Sequence, residues 1–164
     1  MQASKWVLGS IFIAIVGSLS LVSFGAYAAD SDLQPMARNL AEQKFGPVPG
    51  YPSCLRAAGL NGDPSKGPSI LLLHFKKGCT VPWHWHTPDE HLMVASGAGR
   101  AQMKDGKAVL LKSGGYAFIP GHHIHMFTCV SACVIFLYSD GIFDTHYVDS
   151  SGREITPAEA LKSK

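Results

Sequence analysis

No run of basic residues and no basic stripe occurs in this 164-residue chain, whose 14 Lys and Arg nearly balance 12 Asp and Glu for a formal charge of +2. That absence excludes the electrostatic footprint of a nucleic-acid binder or of a protein held on an anionic membrane surface. Internal repeats are also missing, so a repeat array is excluded, and no low-complexity tract marks a disordered linker. No twin-arginine pair precedes the apolar stretch near the start, which points to export in the unfolded state rather than after folding. The length favours one domain over two.

What is present begins with a leader. Lys5 stands in "MQASKW", an uncharged apolar run "VLGSIFIAIVGSLSLVSFG" follows, and "AYA" (Ala26 to Ala28) precedes Ala29-Asp30. A basic start, an apolar stretch and a small-x-small site are the parts of a secretory signal peptide, with cleavage after Ala28. A span of this size could also hold as an uncleaved membrane anchor. Gly9, Gly17, Ser18, Ser20 and Ser23 dilute it, which favours cleavage and a periplasmic or secreted protein. Removing 28 of 164 residues leaves 136, enough for one sizeable core, and takes away only the charge of Lys5.

Four cysteines follow the leader: Cys54, Cys79, Cys129 and Cys133. Outside the cytoplasm they can pair, and four allow three connectivities. Cys129 and Cys133 flank "VSA" and could face each other across a tight hairpin, with Cys54–Cys79 as the second bridge. Some of them could equally be small buried apolar residues.

Residues 29–67 read as an extension to the main body. Within it "PMARNLAEQKF" (35–45) has good helix formers, Pro35 at a first-turn position and Gly46 as a stop, and is expected to form a short helix. "GPVPGYPSC" is turn-rich and "NGDPSKGPS" reads as a loop. From Ser69 the pattern changes to short apolar or alternating runs split by turn signals. "SILLLHF", "TVPWHW", "EHLMVAS", "RAQMK", "AVLLK", "YAFIP", "IHMFTC" and "CVIFLYS" read as eight strands, and "FDTHYV" as a possible ninth. Asp105-Gly106 is a hairpin signal, and "SGAG" and "KSGG" mark further turns. The main body spans 68–148, and 149–164 forms a tail in which Thr156, Pro157 and Glu159 suit the cap, first turn and capping partner of a short helix. Many short strands with regular turns argue for an all-β sandwich or barrel.

The chemistry concentrates in "GCTVPWHWHTPDEHLMVASG" (78–97). His84 and His86 stand two apart, so on a strand both imidazoles face one side. Pro82, Pro88 and two tryptophans argue against a helix there. "TPD" makes a turn, and Glu90 opens the next strand beside them. Alternation sends His91 to the face opposite Glu90, and Trp83 and Trp85 to the face opposite the two histidines, where core packing or a dimer surface is their expected role. A further ligand must come from elsewhere, and "IPGHHIHMF" offers His122 and His123 in a turn and His125 on the strand after it. Three neutral imidazoles and one carboxylate suit a first-row divalent ion (Mn, Fe, Co, Ni, Cu or Zn) rather than Mg or Ca, with a net +1 centre. A buried carboxylate without a cation would be costly. His74 and His146 have no evident partner and read as ordinary packed or surface residues.

These residues resemble the cupin signature G-x5-H-x-H-x3,4-E-x6-G, matched by Gly78, His84, His86, Glu90 and Gly97. The second cupin motif, G-x5-P-x-G-x2-H-x3-N, is matched by Gly114, Pro120 and His125. His122 stands where that motif usually has glycine, Cys129 where it has asparagine, and Gly114-Gly115 replaces the common Gly-Asp. The resemblance covers about residues 68–140, and with "YSDGIFDTHYVD" the chain also looks like a group of small single-domain bacterial cupins. It implies a double-stranded β-helix, or jelly-roll barrel, flanked here by the two short helices. It further implies one divalent transition metal, with Mn, Fe, Ni or Zn as candidates, held by His84, His86, Glu90 and His125 in the barrel mouth, and commonly a homodimer. His122 and His123 could stand behind the ligands as hydrogen-bonding or acid–base groups, or be solvated turn residues.

Two functions follow as expectations. One is an exported metal-dependent enzyme acting on a small oxygen-rich substrate. Glu90 makes the chain resemble the His3Glu dioxygenase and oxalate-type cupins more than the three-histidine thiol dioxygenases, which lack that carboxylate. The other is a non-catalytic metal or small-ligand binder, which the lack of an evident acid–base group beyond the ligands favours. A purely structural ion fits less well, since structural zinc sites close every coordination position.

Overall fold

Alternating apolar positions fold as strands wherever one face of the segment can be buried, and the described residues form eleven strands, the longer of which follow that pattern. The computed structural model describes residues 35–162. The expected signal peptide over 1–28, with its cleavage point, lies outside them. The chain divides into Met1–Ala37 and Arg38–Lys164, and all regular structure among the described residues belongs to the second unit.

The strands are β1 (Gly46–Pro47), β2 (Leu55–Gly62), β3 (Ser69–Phe75), β4 (Thr80–Trp85), β5 (Glu90–Ser96), β6 (Ala98–Met103), β7 (Val109–Lys112), β8 (Tyr116–Ile119), β9 (His125–Cys129), β10 (Cys133–Ser139) and β11 (His146–Tyr147). They form two sheets, one in the order β1-β2-β3-β10-β5-β8 and the other β11-β4-β9-β6-β7. Neighbours pair antiparallel throughout. This is the jelly-roll architecture that the motif resemblance implied. Between the sheets Leu73, Phe75, Val81, Leu92, Phe127, Ile135 and Leu137 form a continuous apolar core. No helix among the described residues is long and apolar enough to cross a membrane.

Two expectations about the extension are corrected. The helix read over 35–45 is only a 3-10 turn, Leu40–Glu42, capped by Asn39. None of its residues is buried, and a short helix without a packed face has little to offset its nucleation cost. In the opposite sense, β2 was not foreseen. It pairs along nearly its whole length with β3, so the barrel begins before residue 68, and the expected loop at Asn61-Gly62 is the end of that strand. The sequence "LRAAGL" is poor in β-branched residues, and its pairing rests on Leu55 and Ala58 being buried. The ninth strand shrinks to His146–Tyr147, extended by a bridge between Val148 and Glu154. The terminal helix α1 (Pro157–Ala160) has the expected reciprocal cap between Thr156 and Glu159.

Both expected disulfides are present, Cys54–Cys79 and Cys129–Cys133, with Cα atoms 5.7 and 6.1 Å apart. Gly97, required by the first motif, has φ +77°, and a Cβ there would lie 2.1 Å from the Ala132 carbonyl oxygen. Only glycine fits this crossing between β5 and β6.

Candidate metal centre

Pro82 sets the local geometry of β4. It has no N–H to give the ladder, and the register with β9 shifts between Val81 and His84. Past that irregularity His84 pairs directly with His125, the first residue of β9. His86 follows the end of β4, and Glu90 opens β5 in the facing sheet. The three imidazoles therefore cluster between the sheets at one end of the barrel with the Glu90 carboxylate beside His86 and His125, and all four side chains are buried.

Each imidazole is fixed by a backbone carbonyl. The Nδ1–H of His84 donates to Pro82 O at 2.6 Å, that of His86 to Asp144 O at 2.5 Å, and that of His125 to His123 O at 2.9 Å. A carbonyl only accepts, so the proton sits on Nδ1 and each neutral ring turns an Nε2 lone pair inward. One ring nitrogen from each histidine lies within 4.8 Å of the others. Glu90 Oε2 lies 3.1 Å from His125 Nε2 and 3.6 Å from His86 Nε2. Donor atoms bound at about 2.1 Å on neighbouring positions of one ion stand about 3 Å apart, so this spacing fits a shared cation. Phe143 stacks on the His86 ring at 4.2 Å.

The electrostatics agree. Burial holds the His84 imidazole well below its ordinary value, aided by the neighbouring His125 and His86, and burial likewise lowers His86. Burial pushes the Glu90 carboxyl up, but His86 and His125 outweigh it and keep the group on the ionised side of its ordinary value. His86 Nε2 and Glu90 Oε2 are buried with no hydrogen-bond partner. Buried lone pairs aimed at one another repel unless a cation joins them, so the three histidines could hold a metal ion.

The histidines face a cavity of about 360 Å³ whose wall is mostly aliphatic and aromatic. Its polar groups beyond the cluster include Asp144, Thr145, Tyr51 and Tyr147. The Tyr51 hydroxyl is hydrogen-bonded to Thr145 Oγ1, and burial raises its pKa. Tyr147 is buried, its pKa is pushed up to about 12, and its hydroxyl has no partner. Tyr147 and Asp144 escaped the sequence reading. What places Tyr147 is tertiary pairing rather than a local sequence signal: β11 lies against β4 with Tyr147 opposite His84, which puts both on the inner face.

The other histidines go elsewhere. His122 N–H donates to His86 O at 2.7 Å, but its exposed ring packs on Trp85 at 4.6 Å. It supports the centre through its backbone, as His123 does through the carbonyl that fixes His125. Among the described residues, neither imidazole hydrogen-bonds to His84, His86, Glu90 or His125. His122 has φ +62°, so the motif's usual glycine position keeps its left-handed backbone here, a conformation histidine adopts more readily than most residues. Trp85 faces outward as expected, stacked on His146 at 3.9 Å with planes 6° apart. His91 also points outward, its Nδ1 2.8 Å from the Tyr116 hydroxyl.

The profile of the cupin domain family matches residues 71–138. No curated protein matches the sequence. Among solved structures, an RmlC-like cupin from Ralstonia eutropha superposes with a TM-score of 0.61 at 17% identity, over 77% of this chain and 80% of that one. An RmlC-like cupin from Shewanella frigidimarina gives 0.55 at 18%, over 65% and 91%. A protein from Methylibium petroleiphilum, provisionally named an acetylacetone dioxygenase, gives 0.59 at 15%, over 78% and 90%. At these identities the likeness establishes fold alone.

Proposed function

We propose that this chain, which belongs to the cupin superfamily, is an exported metalloenzyme of dioxygenase type acting on a small oxygen-bearing substrate. One divalent transition metal, Mn, Fe, Ni or Zn, would be held by His84, His86, His125 and Glu90. The observation that carries this reading is the convergence of three carbonyl-fixed imidazoles, with the buried Glu90 carboxylate beside two of them, at a largely apolar cavity. When bound, the metal would supply Lewis acidity and, for Mn or Fe, redox chemistry. The protein's own share is separable from it. Backbone carbonyls orient the rings, Glu90 lowers the charge of the centre, and the apolar wall excludes water. The provisional name of the Methylibium neighbour adds weak support for the oxygenase class.

Export is part of the same proposal. It is supported by the leader pattern before Ala29 and by four cysteines in two disulfides, which persist in an oxidising compartment. The homodimer that the family implies belongs to it too, and sedimentation of the mature chain tests that. A second reading, a non-catalytic binder, is favoured by one observation: beyond the proposed ligands, the cavity's titratable groups are Asp144 and two tyrosines whose pKa values are raised.

Metal analysis of protein purified without chelators, followed by oxygen uptake against phenolic, carboxylate and keto-acid compounds, decides between them. Stoichiometric Mn or Fe with turnover is expected. Tight metal with one saturable ligand and no turnover would establish the binder, and protein that takes up no metal would overturn both.

A further inference from the structure

The cavity wall narrows what the proposed centre can accept. No Lys, Arg, Asn or Gln lines it among the described residues, and Leu71, Leu73, Phe75, Phe127 and Ile135 make up much of its surface. A divalent ion with three neutral imidazoles and Glu90 carries net charge +1, which one anionic head group neutralises. A second negative charge would lie against hydrocarbon with no cation or amide to pair it.

Tyr147 adds a directional element. It is only 2% exposed, its Oη has no hydrogen-bond partner, and it lines the same cavity. Strand pairing sets it opposite His84, with ring centroids 5.9 Å apart. Neighbouring Tyr51 has the same chemistry, but its hydroxyl is engaged by Thr145. Burying a hydroxyl without a partner destabilises a fold, and the lost interaction returns when an oxygen acceptor enters beside it.

We infer that the cavity takes a small, predominantly apolar molecule with a single oxygen-donor head of at most one negative charge, and that Tyr147 donates a hydrogen bond to that head. Small dianions such as oxalate are excluded from it. The inference rests on the metal centre proposed above.

The test uses the mature protein loaded with cobalt(II), titrated by calorimetry with benzohydroxamate, acetohydroxamate and oxalate. The two hydroxamates share one head and differ in apolar bulk, so their ratio reports the wall rather than chelating strength. Benzohydroxamate should bind about tenfold or more tighter than acetohydroxamate, and oxalate more weakly than either. Tyr147→Phe should keep one cobalt per chain and unfold no earlier than the parent, yet lose about fivefold in affinity for both hydroxamates. A residue that merely fills space would leave those affinities unchanged. Equal binding of the two hydroxamates, preference for oxalate, or an unaffected Tyr147→Phe overturns the inference while cobalt uptake leaves the metal centre standing. Failure of the parent protein to take up cobalt overturns the centre itself, and the inference with it.

Discussion

The two ends of the barrel are built from the same strands and carry opposite chemistry. β4 and β10 start at the end that holds sulfur, and β5 and β9 return to it. There Cys79 precedes β4, Cys129 closes β9 and Cys133 opens β10, all buried and all paired. At the other end His84 and His86 finish β4 and its edge, while Glu90 and His125 open β5 and β9. The sulfur end is tied covalently and, among the described residues, leaves no buried polar side chain without a partner. The histidine end keeps inward lone pairs and an orphaned carboxylate oxygen, which a fold with stability as its only requirement would have replaced by hydrocarbon. Rigidity is thus placed away from the chemistry, and the cost of preorganised donors is confined to one rim.

The largest expected effect comes from breaking the histidine end. Replacing His84 and His86 together with Ala should lower affinity for Mn, Co or Zn by about a hundredfold or more, as read by metal content after dialysis. Metal should raise the Tm of the parent protein and leave that of the double variant unchanged. Breaking the sulfur end should do the converse. Cys54–Cys79 spans 25 residues and Cys129–Cys133 only 4, so serine pairs should cost about 3.5 and about 2 kcal/mol respectively by chain entropy. Metal stoichiometry should stay at the parent value in both, and urea denaturation with parallel metal analysis checks this.

A pH titration sharpens the contrast further. In the metal-free protein His84 and His86 have pKa values below the ordinary 6.5, so as pH falls through that value the unfolded chain takes up protons that the folded one refuses. Stability present above that pH is then lost below it. Calorimetry of the chelated parent should show Tm dropping below about pH 6.5, a slope that the His84/His86 double variant lacks. A parent Tm that is flat across that window would show that the rings are not held neutral.

Legibility in the sequence followed the same division. The clustering of the candidate residues was legible in part: strand alternation places His84 and His86 on one face, Glu90 opens the strand after Thr87-Pro88-Asp89, and the motif resemblance singled out His125 from the turn after Pro120-Gly121. Trp85 and His91 were assigned outward by the same rule. What escaped depended on tertiary pairing. β2 is held by β3 rather than by its own propensity, and the expected helix over 35–45 fails because nothing buries it. Asp144 and Tyr147 enter the site only because β11 docks on β4, a contact that no local pattern in "FDTHYV" announces. The roles of His122 and His123 turn on backbone rather than imidazole groups, which residue type does not encode.

The smallest expected effect tests whether the inner and outer faces of β4 are independent. His146 sits on the outer face, stacked on Trp85 and flanked by Asp144 and Glu154 carboxylates at 3.2 and 3.3 Å. Both contacts are partly exposed, so His146→Ala should cost no more than about 1 kcal/mol. Its effect on the histidine end should vanish, because His86 is oriented by the Asp144 backbone carbonyl, and the Asp144 carboxylate remains held by the Thr87 N–H and hydroxyl. Tryptophan fluorescence should change as Trp85 loses its stacked partner, while metal affinity stays within about twofold of the parent. A larger loss of metal would mean that the outer imidazole, through Asp144, helps set the inner ring. The two faces would then form one coupled unit, and His146 would join the residues that position the centre.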